Sequence, residues 1–294
     1  MLKGRLGLET ARIPQADRHG LLWLARGNLY VEDGTLRFRT KGDGDMASGD
    51  YAIPFQMVTA VLLGPGTTVS HDALRLLARH GTGLVAIGQD GTRFYASMPF
   101  GPDASALARR QATAWADATG TRLRIARRMY AWRFGEVVPE EDIAVLRGIE
   151  GARMRETYKL LAERYGVSWH GRHYDRSAPE SNDPVNQAIN HAASAVESAA
   201  MIAVALTGSL PQLGFIHEDS GNAFTLDVAD LYRSAITVPA AFTAVKECSA
   251  DIRIPLERAV RRGVGRMLRA QAVVPGMIDR IKALFDADDS RCDA

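Results

Sequence analysis

Met98-Pro99-Phe100-Gly101-Pro102 is the stretch at which the sequence changes its period. Before it, apolar residues come in short runs of β-formers separated by turn signals. After it, they recur every three to four residues nearly to the end of the chain. Two prolines and a glycine within five residues suit neither a strand nor a helix, so the break marks a domain boundary. It predicts an α+β protein: a mostly β domain over 1–98 and a larger all-α domain over 99–294.

Moving back from the break, Arg93–Ser97 and Gly83–Ile87 read as a hairpin closed around Gln89-Asp90-Gly91. Before them, Ser70 stands as an N-cap to a helix carrying Leu74, Leu76 and Leu77, and Gly81 ends it. Val58–Leu63 forms an apolar strand stopped by Gly64-Pro65-Gly66. Earlier strands fall at Leu21–Leu24, Leu29–Val31, Leu36–Phe38 and Tyr51–Ile53, with Glu32-Asp33-Gly34 as the turn between the second and third. Moving forward, Ala104–Ala118 and Arg122–Phe134 are the first two helices of the second domain. A third opens at Pro139-Glu140-Glu141-Asp142, with acidic residues at its positive end, and closes at Gly166. Asp183-Pro184 starts a fourth, followed by Gly208. Between Val185 and Thr207 its one formal charge is Glu197, which predicts the buried central helix of that domain. Further helices run from Val238 to Phe285, and 286–294 reads as a frayed tail.

The 294 residues are 46% hydrophobic and 24% charged, enough to bury a sizeable core, and the formal charge of +2 decides nothing about partners. Its distribution says more. Arginines cluster at Arg122, Arg124, Arg127 and Arg128 and again at Arg258, Arg261, Arg262, Arg266 and Arg269, a pattern that fits phosphate as well as it fits solvated helix faces. Cys248 and Cys292 have neither metal nor redox spacing, so a disulfide framework is not expected and a reducing cytoplasm is. Neither a secretory h-region nor a membrane-spanning run is read from the sequence.

Chemistry concentrates in Gly214–Arg233, G-F-I-H-E-D-S-G-N-A-F-T-L-D-V-A-D-L-Y-R. His217 ends a short apolar run before the turn Ser220-Gly221-Asn222, where an extended segment gives way to a loop. Asp227 and Asp230 then share one face of a short helix. Two carboxylates that close need a cation, an arginine or a shared proton between them, and the neighbouring imidazole makes a divalent metal a natural choice. A solvent-facing pair favoured by a helix dipole is the plainer alternative. The third helix adds Leu146-Arg147-Gly148-Ile149-Glu150-Gly151-Ala152-Arg153-Met154-Arg155. Two glycines inside a helix cost about 1 kcal/mol each relative to alanine. Their use would be to let another backbone or a phosphate come close to Glu150, with Arg147 and Arg153 three residues to either side.

L-R-G-I-E-G-A-R-M-R at Leu146–Arg155, G-F-I-H at Gly214–His217 and D-V-A-D-L at Asp227–Leu231 together resemble the CRISPR-associated adaptation integrases, the "Cas-one" family, and within it the type I-E subfamily. Further matches are P-G-T-x-V-S-H at Pro65–His71, R-F-Y-A-S at Arg93–Ser97, R-F-G-E at Arg133–Glu136 and Y-G-V-S-W-H-G-R-H-Y-D at Tyr165–Asp175, so that the resemblance runs from Arg18 to Leu284. It implies an N-terminal β domain that dimerises and a helical catalytic domain. It also implies that Glu150, His217 and Asp230 bind Mg²⁺ or Mn²⁺, with Asp227 as an accessory acid. The implied reaction is insertion of captured DNA into a CRISPR array, a 3′-hydroxyl attacking a phosphodiester, in antiviral defence. The implied partners are double-stranded DNA (prespacer and repeat), a second copy of the chain, and a small "Cas-two" protein completing a heterohexameric complex. Arg147, Arg153 and Arg233 would hold the DNA backbone near the site, and Arg75, Arg93 and Arg253 further along it.

The sequence departs from the subfamily at two places. Glu218-Asp219 follow His217 where small or neutral residues are usual, and Arg26 stands where relatives can carry a duplex-capping aromatic; Tyr174 is a second aromatic candidate for DNA contact. Two other readings stay open beside the integrase: a general metal-dependent DNase acting on branched or single-stranded DNA, and a non-catalytic DNA-binding scaffold.

Overall fold

The computed structural model describes residues 18, 20–42, 46–97, 105–117, 119–137, 139, 142–173, 183–218, 220–250 and 253–285. The break at 98–102, Tyr174, Asp219 and the tail 286–294 lie outside them. The architecture is α+β, with an N-terminal β-rich region and a mostly helical remainder.

The β-rich part holds two four-stranded sheets. The first has the order β1-β5-β7-β8, with β1 at Leu21–Leu24, β5 at Ala60–Leu63, β7 at Gly83–Ile87 and β8 at Phe94–Ser97. The second has the order β4-β3-β2-β6, with β2 at Gly27–Glu32, β3 at Thr35–Thr40, β4 at Gly49–Ala52 and β6 at Thr67–Val69. The β2–β3 turn is as expected: Asp33 and Gly34 both take positive φ, 50° and 76°, matching the right-handed twist of the flanking strands.

The strand pairing differs from a run of hairpins. β1 with β5, β5 with β7 and β2 with β6 are parallel. Parallel neighbours need a crossover, and the β5–β7 crossover is α1, His71–His80, capped by Ser70 Oγ accepting from Ala73 N at 3.2 Å and closed by Gly81 at φ 64°. The signal lay in Ala60-Val61-Leu62-Leu63. All four are buried, and a strand covered on both faces reads as a continuous apolar run. β6 is a strand that the sequence reading did not separate from the turn before it. Leu24, Leu29, Leu36, Phe38, Val61 and Leu77 are at the centre of this core.

The chain divides into two compact units, one taking the chain to Gly88 with Tyr95–Ala106, the other Gln89–Phe94 with everything from Leu107. The turn Gln89–Phe94 therefore packs with the helices rather than with its own sheet. Asp90, at φ 55°, lies against Gly265, where an added Cβ would stand 2.6 Å from the Asp90 Cβ. Arg269 Nη1 donates to Asp90 Oδ1 at 3.1 Å.

In the helical unit, α2 spans Ser105–Ala116, α3 Thr121–Phe134 and α4 Ile143–Tyr165. α4 begins after Asp142, whose carboxylate caps Ala144 N at 2.7 Å, rather than at Pro139. Next come α5 at Pro184–Thr207, α6 at Ala223–Asp230, a widened helical turn at Arg233–Thr237, α7 at Val238–Ala250, α8 at Leu256–Ala270 and α9 at Val273–Leu284. α5 is long and apolar enough to cross a membrane by length and composition. Here it is the centre of the helical unit, packed against α6, α7, α8 and α9, with Ala192, Ala199, Ala200, Ile202 and Ala203 fully buried.

Candidate active site

The loop carrying His217 is set by its neighbours rather than by a sheet. Phe215–His217 form no strand, because the Asp227 carboxylate takes their N–H groups. Phe215 N donates to Oδ2 at 2.6 Å, Ile216 N to Oδ2 at 3.1 Å and His217 N to Oδ1 at 2.9 Å. A side chain on one helical turn does what a neighbouring strand was expected to do. Gly214 allows the tight approach: a Cβ there would lie 2.7 Å from the Ala223 Cβ and overlap the His217 carbonyl. From α2, Gln111 Nε2 donates to the carbonyls of Leu210 and Leu213, both at 2.9 Å, and Trp115 Nε1 to that of Gly214 at 3.0 Å.

Asp227 also fixes the imidazole. His217 Nδ1 lies 2.7 Å from Asp227 Oδ1. That hydrogen bond raises the His217 pKa above its usual value against the opposing effect of burial, and the charges of Asp227, Asp230 and Glu150 add to it. Asp227 is wholly buried, whereas the His217 side chain is 39% exposed. The helix thus splits the two aspartates: Asp227 orients the loop and its histidine, and Asp230 turns elsewhere.

Asp230 meets Glu150 around one arginine. Arg133 Nη1, from α3, is 2.8 Å from Glu150 Oε1 and 3.4 Å from Asp230 Oδ2, and its side chain is only 4% exposed. Its Nε and Nη2 are buried with no hydrogen-bond partner among the described residues. Arg233 binds the other oxygen of Asp230, and Tyr130 OH reaches Glu150 Oε2 at 3.4 Å. Burial first, and the Glu150 charge second, push the Tyr130 hydroxyl well above its ordinary pKa, so it stays protonated as a donor. Glu197, in the middle of α5, is also raised, by burial and then by the charge of Asp230. Among the described residues, no three His, Cys, Asp or Glu side chains stand close enough together to hold an ion. The pair Glu150 and Asp230 instead converges on one cationic atom, Arg133 Nη1, which occupies the position of a shared counter-charge.

The residues matched by a family model described as CRISPR associated protein Cas1 are 21–137 and 131–251, most of the chain. The chain belongs to the Cas1 family. It is 35% identical over 278 residues to the CRISPR-associated endonuclease Cas1 of Escherichia coli, covering 94% of this chain and 88% of that one. It is 37% identical over 248 residues to the CRISPR-associated endonuclease Cas1 2 of Thermus thermophilus, covering 83% and 76%. Among solved structures, the crystal structure of a TtCas1–DNA complex superposes with a TM-score of 0.82 at 33% identity, covering 92% and 98%. A casposase bound to integration product shares the fold, with a TM-score of 0.66 at 15% identity over 91% and 96%.

The remaining site residues of this Cas1-family chain are distributed as follows. Arg147 donates to the Ile216 carbonyl and lies 3.8 Å from Glu218. Glu218 is also bound by Arg122, whose guanidinium stacks over Trp115 at 5.5 Å, so arginines take up the acidic departure. Arg153 pairs with Glu136 and stacks over Phe134 at 4.6 Å, away from Glu150. Arg75 pairs with Asp72 at 3.0 Å in α1, Arg93 with Glu257 at 3.1 Å, and Arg253 sits in the loop between α7 and α8. Around Gly148 and Gly151 an added Cβ would meet nothing within 4 Å. The expected backbone neighbour is absent among the described residues, and what the two glycines leave beside Glu150 is open space. Arg133 and Tyr130 were the residues that sequence reading missed. Arg133 lies in R-F-G-E, a segment matched to the family without a role for its arginine.

Proposed function

We propose that this Cas1-family chain is a divalent-metal-dependent DNA endonuclease and integrase of the type I-E kind. In this reading it inserts captured DNA into a CRISPR array by attack of a DNA 3′-hydroxyl on a phosphodiester. The observation that carries the proposal is the convergence of Glu150 and Asp230 on a single cation position, with His217 held beside them by Asp227. The donor set fits the ion: two carboxylates and an imidazole suit Mg²⁺ or Mn²⁺, and Glu150, His217 and Asp230 would hold it. When bound, such an ion polarises a phosphoryl oxygen and neutralises charge on the leaving oxygen.

The chain's own residues do the rest. Asp227 keeps the His217 ring in one orientation by its bond to Nδ1, leaving Nε2 as the ligand atom. Arg133 and Arg233 place guanidinium charge beside the position of the reacting phosphate. The open side of α4 at Gly148 and Gly151 admits a DNA backbone to Glu150. Arg147 and Arg153, with Arg75, Arg93 and Arg253 further out, complete the DNA contacts in this reading, in which DNA is double-stranded prespacer and repeat. The solved TtCas1–DNA complex supports DNA as the ligand. A homodimer joined through the β-rich unit, the Cas-two heterohexamer and a cytoplasmic location follow from the family resemblance and belong to the same proposal.

One observation favours the scaffold reading instead: Arg133 already neutralises the pair that an ion would need. The test is strand transfer of a short duplex into a supercoiled repeat-bearing plasmid, with and without Cas-two and Mn²⁺, alongside duplex affinity at fixed salt. We expect His217→Ala to abolish transfer and leave affinity nearly intact, because arginine–phosphate contacts supply most of the binding. Arg233→Ala should weaken binding across sequences and lower its salt dependence. Transfer by His217→Ala at the wild-type rate would return the protein to the scaffold reading.

A further inference from the structure

α3 is two-faced. Tyr130 and Arg133 look toward Glu150, whereas Arg124, Arg127 and Arg128 line a separate cavity of about 520 Å³ together with Trp132, Glu136 and Arg280 of α9. Four guanidiniums against one carboxylate, three of them at i, i+3 and i+4 of one helix, is an arrangement of like charges that repel one another. The fold keeps them together by dispersing part of the charge. Arg128 and Arg280 lie over the Trp132 ring at 5.8 and 5.7 Å, and Arg280 also lies over Tyr232 at 5.2 Å. Arg128 Nη1 donates to the Ala283 carbonyl at 3.0 Å, which holds α3 to the end of α9. Glu136, the carboxylate in the lining, is bound by Arg153. Arg280 Nη1 is buried and has no hydrogen-bond partner among the described residues. Buried N–H donors in native proteins are nearly always satisfied, and an orphan calls for an explanation. A planar donor fork that stacks on an aromatic ring and leaves one nitrogen unfilled is the usual way an arginine waits for a phosphate.

We infer that this cavity is a phosphate-binding site separate from the acidic site, taking the terminal phosphate of a nucleotide or of a nucleic-acid strand. The volume admits a phosphate with part of its nucleoside. The excess of arginine supplies the attraction, and Arg280 Nη1 supplies a donor that nothing in the described chain uses. Glu150 and its neighbours take no part, so the inference holds whether or not the acidic site binds metal.

The experiment uses the full chain and three probes: inorganic pyrophosphate, dAMP, and a short DNA single strand with or without a 5′-phosphate. Pyrophosphate should raise the melting temperature of the wild type and of Glu150→Gln alike, and the rise should be lost in Arg280→Gln and, independently, in Arg124→Gln. Two variants on different helices keep the test intact if one of them folds poorly. Affinity for the 5′-phosphorylated strand about tenfold above the unphosphorylated one, lost in the same variants, identifies a strand end as the source. Binding of dAMP without that discrimination identifies a free nucleotide. The inference is overturned if pyrophosphate leaves the wild type unshifted, or if both arginine variants respond as the wild type does. A shift lost in Glu150→Gln but kept in Arg280→Gln would move the phosphate to the acidic site and also overturn it.

Discussion

Asp50 in the β-rich unit and the Glu150–Asp230 pair in the helical unit are each surrounded by one tyrosine and two arginines, and the two clusters end in opposite states. At Asp50, Tyr30 donates to Oδ2, Arg37 Nε to Oδ1 at 3.1 Å, and Arg39 Nε and Nη2 to Oδ2 at 3.1 and 2.8 Å. Arg39 Nη2 also donates to Tyr30 OH at 2.7 Å. Strand register produces this directly, since Tyr30 faces Arg37 across β2–β3 and Arg39 faces Asp50 across β3–β4. One carboxylate holds two arginines, with nothing left over. In the helical unit two carboxylates share a single nitrogen of a buried arginine, whose other two nitrogens bond to nothing described. A guanidinium used through one atom is a poor match for its planar fork and a good match for the place of a compact ion. The difference separates a cluster that is finished by the fold from one that the fold leaves open.

The strongest way to break that contrast is Arg133→Met. Leaving Glu150 and Asp230 close together without their shared cation should destabilise the metal-free protein by about 3–5 kcal/mol. The loss should then be recovered in large part by Mn²⁺, because an ion that binds only the folded state stabilises it by mass action. Thermal melts with and without Mn²⁺ read both effects, and the Mn²⁺ shift of the variant should exceed that of the wild type. An equal loss in both conditions would make Arg133 a structural ion pair like those at Asp50, and the contrast would fail.

A smaller effect is expected at Asp227, which is wholly buried and accepts four donors on two oxygens. Asn replaces one of those oxygens with an amino group facing N–H donors, which should cost about 1–3 kcal/mol. Losing the carboxylate that orients His217 should lower Mn²⁺ affinity by roughly 10–100-fold. Denaturant melts and Mn²⁺ titration measure the two separately. If affinity falls no further than stability accounts for, Asp227 braces the loop and has no part in tuning the histidine.

What was legible follows from the range of the forces involved. Helix ends were readable where a cap announced them: Ser70 and Gly81, Asp183-Pro184 and Gly208, and Gly166 all act locally and appear where expected. The parallel pairing of β1, β5 and β7 was not, because pairing order depends on contacts distant in sequence, and a buried run such as Ala60–Leu63 does not say which strands flank it. At the site, Glu150, His217, Asp227 and Asp230 were read from their residue types and spacing. Their division of labour was not, since it rests on Arg133, placed in α3 by a motif that gave no hint of a buried arginine. Gln111 was missed for a related reason: a lone amide in a charged helix looks solvated until the loop it holds is in place.

The smallest expected effect is at Asp50, and its sign with pH is what makes it informative. Its pKa is held below the usual carboxylate value by the Tyr30 hydroxyl first and Arg39 next, with Arg37 adding to them. A carboxylate lowered on folding stabilises the folded state above its unfolded pKa, near 4, and that contribution is lost as pH falls through the lower folded value. Asp50→Asn should therefore melt slightly below the wild type at neutral pH, and the gap should close below about pH 4. The group lies at the surface, so added salt should narrow the neutral-pH gap as well. Melting curves across an acid series at two salt concentrations provide the measurement. A gap that stays constant with pH would mean that the Asp50 charge contributes nothing and that the cluster is held by its neutral hydrogen bonds, which would make it a poor reference for the acidic pair. A gap that closes on acidification would show that the arginines and Tyr30 satisfy a charged Asp50, leaving the unsatisfied pair at Glu150 and Asp230 as the exception in this fold.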